Sequence, residues 1–478
     1  GQGRRRQGAR HPPRPAPGGP RRPTELVLTR LCTDISKAAF DRDLRTAVET
    51  TLGGELPDSA WQQCTTGVSW GGLGLRTAEQ TACASFLASR VCSRPHVREM
   101  AGHLEQAGLG SAELVMAAYD KRTEDALVAM VGHLPAGYGN SLLDLLTDQA
   151  ERADERWTSL FNLDAGAPPN DAPRRGRPRQ PGSGVVPLDE DEDDEHPAAA
   201  PTGRAAVQRL LLAKLDQQIR LDLLNRHQSS GNDPALRRLA DLAHPDCSHE
   251  WLWALSRHKG PVLDSQHYVE ALRLRLGCAG PSEPVPCALC GCELLDSAGA
   301  HALCCSRAEA TKGHHALARQ VYDACKTCDP GTELEARDLI PGTRLRPADV
   351  LTGALGHGLV ALDIGIASPD AQNAGPDCTA SMYSRKVAYY APYSDVLDHQ
   401  NILYQPLVWS AYGRPHPRTT TILRTLAARL ARRRGVSDGE WRYRRLAAAA
   451  GTALWQRAAA HVLACWPDRE PPGAPEGG

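Results

Sequence analysis

The sequence predicts an α+β chain of several domains, mostly helical, with one small α/β domain, a zinc module and disordered linkers. Three observations carry that prediction. Apolar residues recur at three- and four-residue spacing over long stretches. Six of the 15 cysteines fall between Cys278 and Cys305. The segment RLRPADVLTGALGHGLVALDIG, residues 344–365, sets two β-rich runs on either side of a glycine-punctuated turn. With 478 residues, 41% of them apolar, and 36 prolines, the chain has room for two or more domains and for linkers between them.

Residues 1–23 carry seven arginines and no acid, and are expected to be a disordered basic tail. Residues 24–163 follow helical periodicity, with Leu142, Leu143, Leu145 and Leu146 and then Trp157 and Leu160 on apolar positions. Within them, Gly71, Gly72 and Gly74 of WGGLGLRTAEQTACASFLAS interrupt the pattern before a helix of small residues. Residues 164–204 are rich in Pro, Gly and Arg, include the run DEDEDDE at 189–195, and cannot bury enough apolar surface to fold. In this linker RRGRPRQP resembles an AT-hook, whose Arg-Gly-Arg-Pro core lies along a narrow minor groove, so Arg175 and Arg177 are candidate nucleic-acid contacts. Residues 205–280 return to helix. They end in YVEALRLRLGC, where Val269, Leu272 and Leu276 form a core stripe and Arg273 and Arg275 are expected to point elsewhere.

The formal net charge of −1 hides this segregation of charge. Basic blocks suit an anionic partner, DNA first and RNA second, as well as a merely solvated tail. No apolar run approaches the roughly 20 residues that span a bilayer, and the first residues lack the apolar core of a signal peptide. The expectation is a soluble protein with no membrane partner, nuclear or otherwise intracellular. The start at Gly1 reads as that of a fragment or an incomplete gene.

In such a compartment cysteines favour metal over disulfides. CALCGCELLDSAGAHALCC offers Cys-x2-Cys, ten residues, then His-x3-Cys. Two thiolates on a tight turn plus an imidazole and a thiolate from the next short element complete a tetrahedral structural Zn²⁺ site. The preferred ligands are Cys287, Cys290, His301 and Cys305, with Cys292 and Cys304 as competitors, in a module spanning 281–306. Cys325 and Cys328 lack a matching pair and read as incidental.

The run at 344–352 and that at 358–368 read as an antiparallel hairpin. If its turn centres on Gly356, residue i faces residue 712 − i, Asp349 faces Asp363, and Val350, Val360, Leu362 and Ile364 go to the opposite, buried face. Two carboxylates about 5 Å apart repel unless something neutralises them, and a divalent cation does so. Hard carboxylate oxygens on Mg²⁺ are the arrangement of a metal-dependent phosphodiesterase, Asp349 and Asp363 being the metal ligands and catalytic residues. The chemistry also wants a cation. Two residues beyond the second acid stands Gly365, so Lys386, in the predicted helix SMYSRKVAYYAPY, is expected to reach in. His314, in the GHH that opens a further helix, is the remaining catalytic candidate.

The order of these parts resembles the C-terminal region of a non-LTR retrotransposon polyprotein of the restriction-like-endonuclease class. In that family a Cys-Cys-His-Cys zinc module precedes a nuclease marked by Lys/Arg-Pro-Asp, a dozen or so residues and a second acid, with the lysine migrated onto a following helix. Arg346-Pro347-Ala348-Asp349, thirteen residues and Asp363 match with one inserted alanine, and Lys386 fits the migrated lysine. His314 falls at a recurrent position after the zinc module. WGGLGLRTAEQTACASFLAS is similar to the stretch after the reverse-transcriptase palm, so the resemblance covers most of residues 50–415. It implies a restriction-endonuclease-like α/β domain at 307–413 that nicks DNA with Mg²⁺. No Tyr/Phe-x-Asp-Asp polymerase motif occurs in the sequence. The rival expectations are a non-catalytic zinc-containing nucleic-acid-binding protein and an inactive retroelement remnant.

Residues 414–478 are expected to be a basic helical region with a disordered end. Residues 414–457 hold eleven arginines against two acids, with Leu426, Leu430, Leu446 and Leu454 at apolar positions. Arg429, Arg432, Arg433 and Arg434 form the densest patch, suited to a phosphate backbone.

Overall fold

The computed structural model describes residues 34–135, 137–138, 204–253, 263–281, 283–305, 307, 310–356, 358–435 and 438–467. The basic tail, the linker at 164–203 with Arg175 and Arg177, the leucines at 142–146 and the last eleven residues lie outside them. Helices predominate: α1 Asp34–Leu52, α2 Asp58–Cys64, α3 Ala78–Gln106, α4 Ala112–Val131, α5 Arg204–Ser229, α6 Asp233–Leu242 and α7 Ser265–Leu276. A two-stranded hairpin follows, β1 Val285–Pro286 with β2 Leu294–Leu295, and then α8 Ala310–Cys328. The chain continues with β3 Glu333–Leu334, β4 Val350–Thr352, β5 Leu359–Ala367, α9 Cys378–Tyr390, α10 Ser394–His399, β6 Ile402–Ser410, α11 Pro417–Arg433 and α12 Gly439–Cys465. None of the described helices is long and apolar enough to cross a membrane.

Local chemistry sets the helix ends. Thr77 and Gln80 form a capping box at the start of α3. The Asp377 carboxylate accepts from the N–H groups of Thr379 and Ala380 at the start of α9. Gly277, at φ +72°, ends α7 in the left-handed conformation.

The glycine-rich stretch after α2 is a docking surface for a buried arginine. The Arg275 guanidinium, fully buried, donates to the carbonyls of Gly72 and Val68, and Gln63 Nε2 donates to the carbonyls of Gly71 and Arg275. A Cβ at Gly72 would overlap Thr66, which is why the residue there is glycine. The expectation that Arg273 and Arg275 point away from the core is therefore wrong. From Glu270 to Leu276 helix α7 is buried on all sides, and its arginines take backbone carbonyls as partners, Arg273 that of Leu52. Burial and the Arg275 charge push the neighbouring His249 down to about 3, so it stays neutral.

The larger sheet has the order β3-β4-β5-β6, with β3, β4 and β5 antiparallel and β5 and β6 parallel over nine residue pairs. A parallel neighbour needs a crossover, and α9 and α10 supply it. Val350 pairs with Leu362 and Thr352 with Val360, the register about Gly356 that the sequence implies, and Gly356 has φ +83°. Val350, Val360, Leu362 and Ile364 do share one buried face, packed on α8 and α11.

Two features differ from expectation. The first strand is three residues long, because the ladder steps aside at Asp349. Its N–H donates to Leu362 O (2.9 Å) and its carbonyl accepts from the Glu335 N–H (2.7 Å). The face carrying Asp363 is not open either, since Ala361 and Leu351 pack there with Tyr390 and Leu397.

The apolar clusters cross the segment boundaries drawn from composition. One joins α3, α4 and α5. Another runs from Leu52 and Cys64 through Trp251, Ala271, Cys287 and Cys305 to Trp455 and Val462, so the cysteine-rich module and α12 share a core with the first helices. The stacked rings of Trp251 and Trp455, 4.6 Å between centroids, lie at its centre.

Arg414 ties the helical body to the sheet. Its Nε donates to Asp241 on α6 (2.6 Å) and its Nη2 to Asp377, the N-cap of α9 (2.9 Å). That hydrogen bond holds the Asp377 carboxyl well below the usual range. Replacing Arg414 by Met leaves Asp241, 5% exposed, without its counter-charge. Arg414→Met is expected to lower stability by about 3 kcal/mol in urea unfolding, and Arg414→Met with Asp241→Leu to recover part of it.

Candidate metal centre and active site

The short hairpin β1–β2 and the 3₁₀ turn His301–Leu303 bring the expected zinc ligands together. The donor atoms of Cys287, Cys290, His301 and Cys305 all lie within 4.8 Å of one another. Cys287 Sγ and Cys305 Sγ are 3.8 Å apart, and Cys290 Sγ and His301 Nε2 3.4 Å. A tetrahedron with Zn–S near 2.3 Å and Zn–N near 2.05 Å has edges of about 3.8 Å and 3.5 Å. These two edges match, and with all four donors within 4.8 Å of one another the set can hold one zinc ion.

The competitors are turned away. Cys292 is exposed, with its thiol on Cys290 O (3.0 Å), and Cys304 donates to Ser368 Oγ (3.1 Å). The N–H groups of Cys292 and Glu293 point at Cys290 Sγ and hold its thiol down to about 6, so a thiolate is ready before any metal arrives. A fifth sulfur adjoins the site: Cys465, at the end of α12, is pushed up by burial and by the sulfurs of Cys287 and Cys305. Its spacing, 160 positions beyond Cys305, gave no signal in the sequence.

The second site is built on β5. Asp363, 7% exposed, accepts from Lys386 Nζ on α9 (2.7 Å) through Oδ1 and from the Tyr404 hydroxyl on β6 through Oδ2. Asp349 Oδ2 accepts from the Ile364 N–H (2.7 Å) and faces His314 Nε2 (3.0 Å), which also lies 3.1 Å from Ile364 O. His314 sits in the first turn and a half of α8, and the hydrogen bond to Asp349 raises its pKa.

The two carboxyls are driven apart. Burial pushes Asp363 up, Lys386 and Tyr404 offset only part of that, and the charge of Asp349 adds to the rise. Burial also acts to raise Asp349, but the hydrogen bond and charge of His314 outweigh it and leave Asp349 below its ordinary value. The neutraliser expected between the two acids was a divalent cation. The side chains His314 and Lys386 already fill that role, one per carboxylate. Among the described residues only the cysteine–histidine cluster brings three or more metal-binding atoms so close together.

Lys386 approaches over the glycine that stands where a lysine was sought. A Cβ at Gly365 would lie 2.7 Å from Lys386 Cε and 3.4 Å from Met382 Cγ. The lysine stem thus occupies the space of the missing side chain at 365. Tyr404 was missed, because only the parallel register of β6 places it on the face of Asp363. Of the arginines, Arg429, Arg432 and Arg433 line one depression, while Arg434 lines another with Arg442 and Arg445, so the expected single patch is two.

Comparison with protein-family models, with curated proteins and with solved structures gives no match for the chain.

Purified protein is expected to release about one zinc per chain on denaturation. Cys290→Ser and His301→Ala should lower that yield, whereas Cys292→Ser and Cys304→Ser should leave it unchanged. Metal analysis of the four variants checks the ligand set.

Proposed function

We propose that the chain is the metal-dependent DNA endonuclease portion of a retroelement-type protein. It would cut phosphodiester bonds at a restriction-endonuclease-like α/β domain, with Asp349, Asp363 and Lys386 in its active site. The observation that carries this reading is the placement of Lys386. The Lys386 stem crosses over Gly365, the position beyond the second acid where this chemistry wants a cation, and sets its amine on Asp363. The crossover unit β4–β5–α9–β6 supports the same reading, since it carries Asp363 on β5 and Lys386 on α9, with Asp349 one residue before β4.

Asp349 and Asp363 would hold Mg²⁺ through their hard carboxylate oxygens, which here accept from Lys386, Tyr404 and the Ile364 N–H and face His314. When bound, Mg²⁺ would polarise the scissile phosphate and lower the pKa of the attacking water. The remaining roles belong to the chain. His314 and the Ile364 N–H fix the orientation of Asp349. Tyr404, kept as a phenol because burial and Asp363 raise its pKa, fixes that of Asp363. Lys386 places a positive charge beside the carboxylate, where it can neutralise a phosphate oxygen as charge develops.

Supercoiled plasmid incubated with the full chain should become nicked with Mg²⁺ and remain intact with EDTA. Asp363→Asn, which keeps the Tyr404 contact, should abolish nicking and leave DNA binding in place, because the carboxylates add no attraction for phosphate. Lys386→Ala should cost roughly 100-fold in rate. Gly365→Lys with Lys386→Ala should recover part of that loss, since the second change vacates the space that the first requires. Binding without Mg²⁺-dependent nicking would instead make this a non-catalytic nucleic-acid-binding protein.

A further inference from the structure

At the turn end of the β4–β5 hairpin, Arg429, Arg432 and Arg433 of α11 line an open depression of about 310 Å³ with Cys328, Gly353 and Ala354. Two of the three side chains are visibly held in place. Arg433 Nη1 donates to Cys328 O (2.6 Å) at the end of α8. The Arg429 guanidinium lies against Gly356, where any Cβ would overlap it. Asp329, beside Cys328, is spent on the backbone: its carboxylate accepts from the N–H groups of Gly353 (2.7 Å) and Gly331 (2.9 Å), and Thr332 and Thr352 hydroxyls complete its shell. Among the described residues, none of the three arginines has a carboxylate within ion-pair distance, in contrast to Arg424, which pairs with Glu440.

Three guanidiniums gathered round one hollow repel each other. Packing and a carbonyl hold them there, and an anion entering the hollow would relieve the repulsion. The fork of donors on each arginine matches phosphate oxygens, and the open shape admits a polymer as well as a free ion. The hollow and Asp363 adjoin the same strand pair, Gly356 lying seven residues from the acid, a path of about 20 Å through the turn and β5. At about 3.4 Å per base step this is some six steps of duplex.

We infer that Arg429, Arg432 and Arg433 form a phosphate cradle for the backbone of duplex DNA, gripping it about six base steps from the bond at Asp363. The inference deepens the nuclease reading and rests on it for the position of the scissile bond. The grip itself does not depend on cleavage.

The test measures binding of the full chain to a labelled 20-base-pair duplex in EDTA, over a salt series. Each arginine on a phosphate contributes about 0.9 to the slope of log affinity against log salt. Arg429→Gln/Arg432→Gln/Arg433→Gln should flatten that slope by two to three. The corresponding triple lysine variant, which keeps the charges and loses the forks, should retain the slope at lower affinity, an outcome that a misfolded protein would not give. Arg434→Gln, in the neighbouring hollow, should change the slope by less than one contact. An unchanged slope in the glutamine variant would assign the three arginines to the helix end alone and overturn the cradle. So would displacement of the duplex by millimolar inorganic phosphate at constant ionic strength, which would make the hollow a site for free anions. Absence of Mg²⁺-dependent nicking by the unsubstituted chain, with the slope flattened in the glutamine variant, would count against the nuclease and leave the cradle standing.

Discussion

The arrangement of the α/β domain follows from one constraint, a carboxylate on an interior strand of a sheet that is covered on both faces. Asp363 is 7% exposed, and an unpaired charge there is costly. Its surroundings answer that cost. Residue 365 is glycine because the Lys386 stem crosses above it, α9 is pinned at its N-cap by Arg414 so that Lys386 arrives at the correct height, and β6 is paired parallel so that Tyr404 reaches the second oxygen. Removing any one of these would leave a buried charge or a buried donor unpaired. The parallel pairing also explains why α9 lies where it does, since no short turn can join β5 to β6.

The cysteine-rich module is bound into the fold from the opposite side. Cys287 and Cys305 are buried in the cluster that holds Trp251, Trp455 and Val462, and the N–H of Ala288 donates to Cys465 O at the end of α12 (2.9 Å). A metal there would clamp two short elements, each too small to be stable alone, onto the longest C-terminal helix. Helix α12 in turn packs against α8 and α11, which cover one face of the sheet. One helix therefore touches both the cysteine-rich module and the elements that cover the sheet.

Much of this was legible in the sequence, and the parts that were not share a physical reason. The hairpin register could be read because period-2 alternation and a left-handed Gly356 leave only one pairing that buries Val350, Val360, Leu362 and Ile364 together. The Cys-x2-Cys and His-x3-Cys spacings could be read because ligand geometry is local; Cys292 and Cys304 were rejected only by the direction of their thiols. Lys386 was foreseen from what Gly365 lacks. Tyr404, Cys465 and the carbonyl partners of Arg275 were not foreseen, since each depends on which distant strand or helix arrives alongside. The internal neutralisation of both acids was missed for the same reason. Charge repulsion can be read from a register, but the identity of the group that relieves it needs the third dimension.

Arginine illustrates the limit most clearly, because composition treats as one property what the fold divides into several. Arg275 is buried among carbonyls and shapes the glycine-rich loop, and Arg414 is buried between two aspartates and joins the helical body to the sheet. Arg76 grips Asp216 with both of its terminal nitrogens and fastens the same loop to α5. None of these three is available to an outside anion, although each adds to the basic tally. The guanidiniums at the turn of the β4–β5 hairpin differ in having no acid assigned to them. A positive stretch becomes an argument for a nucleic-acid partner only after the internally satisfied charges have been subtracted, and Arg429, Arg432 and Arg433 of α11, beside the turn of the hairpin, are among the described arginines with no carboxylate partner.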